Sequence, residues 1–310
     1  MAKKRKSNNE ALIAEYLSQL NSDGTRKIYQ FELHLFFRLM LDKAITSLTA
    51  KDISAYSKHI QEYSLKDGTV KKTSSSTRAR KLSIVSSFLK FLFRRKYIKT
   101  DLSAEINMPK VNQKSPEALT EEEATALLRV PDKRTSRGLR DYLMLKVFLL
   151  TGCRLQELIN INWGDFSRKH NFLTLTLRGK GNKERIAKLP KDLEDEIKAY
   201  KGQTEHDSND PLFLTTSKRG IKPGRISAIS IRNMLSKYSK KALISKKVTP
   251  HSLRHTCFSL EVAHGADAFK IMEQAGHTSL NVTQRYVRLF NSLEDNGVDY
   301  NPLSKKDDVI

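Results

Sequence analysis

The chain has 310 residues, 38% of them hydrophobic, which is long for one core and sufficient for a core in each of two domains. Its 56 Lys and Arg against 34 Asp and Glu leave a formal net charge of +22, an excess that attracts polyanions, nucleic acid first among them. No run approaches the roughly 20 apolar residues of a membrane helix, and two cysteines, Cys153 and Cys257, are too few for a disulfide framework and fit a reducing cytoplasm.

The opening MAKKRK is basic, but no apolar segment follows it. It reads as a solvated basic tail, with a nuclear-localisation or nucleic-acid patch as the alternative and a secretory signal excluded. Ile28, Phe31, Leu35 and Leu39 then recur at helical spacing behind Thr25, a good N-cap. Thr49 precedes a second helical pattern, Asp52 to Ile60. A third runs from about Thr77 to Tyr97 with Leu82, Val85, Leu89 and Leu92 on one stripe. Between Lys66 and Lys99 lie eleven Lys and Arg against a single acidic residue, Asp67.

The segment Met108 to Pro116 lacks periodicity and is bounded by prolines, which marks an interdomain linker. Up to Asn112 there are 22 basic and 10 acidic residues, and beyond it 34 and 24, so both parts are positive. Thr120 to Glu123 forms a capping box opening a new helix. Helical patterns follow at 139–150 and 154–161. Phe172 to Leu177 alternates as a strand, and the turn Gly179-Lys180-Gly181-Asn182 joins it to a second strand, Arg185 to Leu189, as a hairpin. Helical patterns resume near 191–201, 226–243, 250–264 and 279–290. The expected class is mostly α with a small β-sheet, in two domains, 1–112 and 113–298, with a tail at 299–310.

Four motifs carry chemistry. Thr249 and Pro250 mark a helix start, which places His251 and Arg254 on one face, where a guanidinium and an imidazole can grip one oxyanion. Taken alone, a solvated helix start is the better reading of that motif. His251 and His255 also have the spacing of a zinc pair, but Ser252 stands where a zincin needs Glu and no second ligand pair is well spaced, so neither metal nor cofactor is expected. In Thr151-Gly-Cys-Arg154-Leu-Gln-Glu157, Glu157 is spaced to hold the Arg154 guanidinium in place, although such pairs are commonly surface salt bridges of little worth. The hairpin turn around Lys180 lacks the first glycine and the closing Ser or Thr of a P-loop. It is either merely solvated or a mobile tip that brings a lysine to a phosphate. Finally, Ala275-Gly-His277 is followed nine residues later by Tyr286, in an amphipathic stretch where a tyrosine is more often core than catalyst.

In identity, order and approximate spacing, Arg154, Lys180, His251-x-x-Arg254, His277 and Tyr286 resemble the tyrosine recombinase (phage integrase) family, and the hairpin and HSLRHT resemble its Xer-type branch. The catalytic-domain resemblance covers about residues 117–298, and residues 8–108 look like the family's helical core-binding domain. Cys153 and Ala275 depart from the usual apolar residue and Leu, and neither removes a reacting group. The resemblance implies a C-shaped clamp on duplex DNA. It makes Tyr286 the nucleophile that forms a 3′-phosphotyrosine and releases a 5′-hydroxyl, with Arg154 and Arg254 as phosphate clamp, Lys180 as proton donor to the leaving oxygen, His251 assisting proton transfer and His277 on the phosphate. It points to Lys71, Lys72, Arg78, Arg80, Lys81, Lys183 and Arg185 as DNA contacts. It further implies double-stranded DNA with a specific core site as partner, and a homo-tetramer on synapsed DNA with two protomers per site, with or without a partner recombinase. Residues 291–310 are either a neighbour-reaching gate or a plain tail.

Three other readings compete. A type IB topoisomerase shares the chemistry, and the separate helical domain and Xer-like hairpin weigh against it. A non-catalytic DNA-binding regulator on the same scaffold would not need the whole set of reacting groups. An RNA-binding protein explains the charge and none of the spacing. Without a segment resembling an extra arm-binding module, the expectation leans toward Xer-like dimer resolution, with mobile-element integration close behind, in the cytoplasm.

Overall fold

The computed structural model describes residues 2–41, 43–64, 67–111, 117–179, 183–202, 206–215 and 223–276. They fall in two compact units, Met1–Lys114 and Ser115–Ile310. The first is built from α1 (Ala2–Ser18), α2 (Asp23–Leu39), α3 (Ala50–His59) and α4 (Ser75–Arg94), with 3-10 turns at Ile45–Ser47 and Leu102–Glu105. A short antiparallel hairpin, β1 (Glu62–Ser64) with β2 (Val70–Lys72), leads into α4. Helix α1 starts at Ala2, so the basic opening that reads as a tail belongs to the first helix.

The buried face of α2 is rotated from the stripe expected, of which Leu35 and Leu39 are half-buried and Leu39 packs at the edge of the core. Phe31 and Ile28 are 67% and 45% exposed, while Leu33, Phe36, Phe37 and Met40 are buried. The helix begins behind Ser22, with Thr25 inside it. Both stripes are apolar at helical spacing, and the choice falls to the one that meets Tyr56 of α3 and Phe88 of α4. The Phe36 and Tyr56 rings meet edge-on at 4.9 Å, and those of Phe37 and Phe88 at 6.1 Å. The same face buries Glu32, whose carboxylate accepts from Arg80 Nη2 at 3.0 Å and lies 3.5 Å from Lys81 Nζ. A buried carboxylate is tolerated because two cations from α4 compensate it. The expected stripe of α4 does pack, with Leu82, Val85, Leu89 and Leu92 buried.

The second unit is organised around α6 (Ser136–Thr151), buried on nearly every side from Tyr142 to Leu149. Ahead of it lies α5 (Glu121–Arg129), opened by the reciprocal Thr120–Glu123 capping box. After it come α7 (Leu155–Asn160) and a three-stranded antiparallel sheet in the order β3 (Phe166–Lys169), β4 (Phe172–Arg178), β5 (Glu184–Lys188). Leu175, Leu177 and Ala187 are the sheet's fully buried apolar positions. Next are α8 (Lys191–Lys201), α9 (Ala228–Lys241), α10 (Pro250–Ala263) and α11 (Ala268–Ala275).

Polar ties fix these helices on α6. Lys146 donates to Asp192 and Glu196 of the α8 region, and Asp141 accepts from Arg140 and from the Tyr238 hydroxyl of α9. The hairpin β1–β2, strand β3 and helix α11 have no counterpart in the sequence expectations, because each is too short for its period to stand out. The helix expected at 279–290 lies outside the described residues. Among the described residues no helix is long and apolar enough to cross a membrane.

Candidate active site

The site begins where α6 stops. Gly152 terminates the helix in the left-handed region at φ 56°, which a side chain would strain. A Cβ there would also lie 2.4 Å from the Phe258 ring of α10, so glycine is needed both for the turn and for the approach of α10. This turn sets Arg154 at the N-cap of α7. Glu157, one helical turn later, accepts from the Arg154 backbone N–H at 3.0 Å with one oxygen and from Arg154 Nη1 at 2.8 Å with the other. The carboxylate thus caps the helix and aims the guanidinium, which stays about half exposed.

Glu157 has a second cation. Arg185 Nη2 donates to it at 3.0 Å, while the same guanidinium donates to the carbonyls of Thr151 and Gln274. Arg185 is expected to touch DNA, but with its side chain only 10% exposed and its two terminal nitrogens donating to protein oxygens, it is an internal strut between β5, the α6–α7 turn and α11. Burial pushes the Glu157 carboxyl up, but the Arg154 N–H and the charges of Arg185 and Arg154 outweigh it and hold the group below the usual carboxylate range.

Helix α10 supplies the other side. Thr249 caps it, accepting from Ser252 N, with Pro250 at the first helical position. Arg254 is 4% exposed; it donates to the Gly152 carbonyl at 2.5 Å and the Ala275 carbonyl at 2.6 Å, and its guanidinium lies 4.9 Å from the centre of the Phe258 ring. His251 is exposed, and its Nε2 lies 3.1 Å from Nε2 of buried His255. One of those two nitrogens accepts the other's proton, so this contact requires at least one ring to be neutral.

Arg154, His251 and Arg254 line one open cleft of about 330 Å³, together with Leu155, Thr249, Pro250 and Arg232 of α9. The guanidiniums of Arg154 and Arg254, both held by protein oxygens, meet there with the positive end of α10 and with no acidic lining residue among the described residues, an arrangement that binds a phosphate and stabilises added negative charge on it; Arg232 stands at the edge without such an anchor. Arg232 is the residue that sequence reasoning does not single out, since an arginine on a helix is normally just solvated. Burial pushes the Cys153 thiol up to about 12 and that of Cys257 well above its ordinary value, so neither provides a thiolate.

Lys180, His277 and Tyr286 lie outside the described residues, but the residues preceding two of them are at the site. A Cβ on Gly179 would sit 3.3 Å from Glu157 Oε1, and one on Gly276 would sit 3.4 Å from Arg185 Cδ. In the first unit, Lys71 and Lys72 are exposed on β2, and Arg78 donates to Ser75 Oγ at 3.3 Å. Arg80 and Lys81 are partly committed to Glu32. Lys183, at the base of the hairpin, is exposed, and its carbonyl accepts from Gly179 N.

Residues 117–292 match the model of the phage integrase family, and residues 12–96 match that of the phage integrase N-terminal SAM-like domain. The chain is 32% identical over 224 residues to the tyrosine recombinase XerD of Staphylococcus epidermidis, covering 71% of this chain and 74% of that protein. It is 36% identical over 243 residues to the tyrosine recombinase XerC of Natranaerobius thermophilus, covering 75% and 78%. Its fold is similar to the crystal structure of the XerH site-specific recombinase bound to a palindromic difH substrate, with a TM-score of 0.65 at 20% identity over 86% of this chain and 76% of that one. The mostly helical, two-domain fold, the family models and these relatives agree: the chain belongs to the phage integrase family and is a site-specific tyrosine recombinase.

Proposed function

We propose that this recombinase cuts and rejoins duplex DNA through Tyr286. The phenolic oxygen attacks the scissile phosphorus, the bond from phosphorus to the 5′-oxygen breaks, and the strand is held as a 3′-phosphotyrosine. Lys180 gives a proton to the departing 5′-oxygen, and His251 assists in removing the phenolic proton. Arg154, Arg254 and His277 bear on the non-bridging oxygens, where charge builds in the transition state. A 5′-hydroxyl from the partner strand then reverses the step. The ester conserves the bond energy, so rejoining requires no nucleotide.

The observation that carries this reading is the convergence of Arg154, His251 and Arg254 on one cleft, with Glu157 orienting the first of them. The positions of Gly179 and Gly276 support the parts given to Lys180 and His277, which follow them in sequence. We assign residues 1–112 to core-site binding through Lys71, Lys72, Arg78, Arg80 and Lys81, with Lys183 contributing from the hairpin. Residues 113–298 are assigned to catalysis, and 299–310 form a tail. The working form is a homo-tetramer on two synapsed core sites, acting in the compartment that holds the chromosome. We assign it Xer-like dimer resolution as its role, with mobile-element integration as the second reading.

Incubating the purified chain with fragmented genomic DNA and sequencing the protein-linked ends locates its site. A nicked duplex carrying that site then accumulates a covalent adduct with the native chain and none with Tyr286→Phe. An adduct that persists in that variant would overturn the assignment of the nucleophile.

A further inference from the structure

Arg232 lines the same cleft as Arg154, His251 and Arg254 but is held differently. Arg154 is fixed by Glu157, and Arg254 is buried against the Gly152 and Ala275 carbonyls. Arg232 is exposed on α9 and has no hydrogen bond or ion pair among the described residues. Groups that stabilise a transition state are preorganised, because an unanchored side chain must be ordered during the reaction. An unanchored guanidinium instead gives charge attraction and hydrogen bonds to a phosphate that is not reacting. A DNA strand entering the cleft offers such a phosphate one nucleotide from the scissile one.

We propose that Arg232 binds the DNA phosphate adjacent to the scissile phosphate, and so holds the strand in register on the Arg154–Arg254 clamp. The proposal rests on the recombinase reading of the cleft. Arg232 acts in binding and positioning and takes no part in the bond exchange. Helix α9 is suited to deliver it, since Ile231, Leu235 and Tyr238 bury its other face in the core of the second unit.

The test measures two quantities for the native chain and for Arg232→Ala, Arg232→Lys and Arg154→Ala. The first is affinity for a fluorescent duplex of random sequence as a function of salt. Arg232→Ala should bind several-fold more weakly, with a log–log salt slope shallower by about one phosphate contact, and Arg232→Lys should recover the slope. The second is the single-turnover cleavage rate on saturating nicked duplex carrying the mapped site. Arg232→Ala should stay within about threefold of the native rate, while Arg154→Ala loses about 10²–10³-fold. An unchanged salt slope in a folded Arg232→Ala protein overturns the proposal. A loss of about 10²-fold or more in its saturated rate overturns it too, by placing Arg232 on the scissile phosphate. A native chain that forms no covalent adduct defeats the recombinase reading instead, and the salt slope still reports on the Arg232 contact.

Discussion

Glu157 is 3% exposed and accepts hydrogen bonds from two arginines and from a backbone N–H, so its charge is both required and well compensated. Replacing it by Gln leaves Arg185 and Arg154 facing a neutral amide, at a cost of about 3 kcal/mol at neutral pH. Its folded-state pKa lies below the ordinary value, so its stabilisation is present above about pH 4.5 and fades as pH falls through the lowered folded value. Denaturant titrations should therefore show a large gap between native and Glu157→Gln proteins at pH 7, closing at acid pH. A gap constant with pH would show that the carboxylate's charge does not contribute. Gly152 is constrained by backbone as well as space. Gly152→Ala meets the left-handed φ and the Phe258 ring together, and about 2–4 kcal/mol should be lost in a thermal melt. A melt unchanged by that substitution would mean that the α6–α7 turn adapts easily.

Among the elements, α2 shows how far periodicity reaches. Two apolar stripes wind around it, and both satisfy a helical period; only the meeting with α3 and α4 selects Leu33, Phe36 and Phe37. Phe36→Ala should cost about 3–5 kcal/mol, while Phe31→Ser should stay within about 0.5 kcal/mol. Equal costs in equilibrium unfolding would contradict the packing of this helix. Starts of helices are more readable than faces. The Thr120 capping box and the Thr249-Pro250 start act through neighbours three residues away, and both lie where the sequence puts them, while α3 begins at Ala50, two residues before the expected Asp52, and α2 behind Ser22, not Thr25. Strands β1, β2 and β3 have only three or four residues, too short a run for alternation to distinguish them from loop.

At the scale of the whole molecule, each compact unit holds its own buried cluster. One joins Leu33, Phe36, Tyr56, Phe88 and Leu92, and the other surrounds α6. A fragment ending at Lys114 should therefore unfold cooperatively on its own, with a sigmoidal circular-dichroism melt. A gradual, non-cooperative melt would refute that independence. The net charge of +22 also leads us to expect DNA affinity that falls steeply with salt, whatever the sequence of the duplex.

The sequence by itself determined the two-part division of charge and core, the helix starts capped at Thr120 and Thr249, and the family resemblance, because these depend on residue type and short spacing. Tertiary structure alone decided three things: which face of α2 is buried, that Arg185 faces inward to Glu157 instead of outward to DNA, and that Arg232 enters the cleft beside Arg154 and Arg254. All three concern residues distant in the chain that meet only once the core forms. A guanidinium has the same local signature whether it ends on a carboxylate, a carbonyl or solvent, so its role is set by what packs around it.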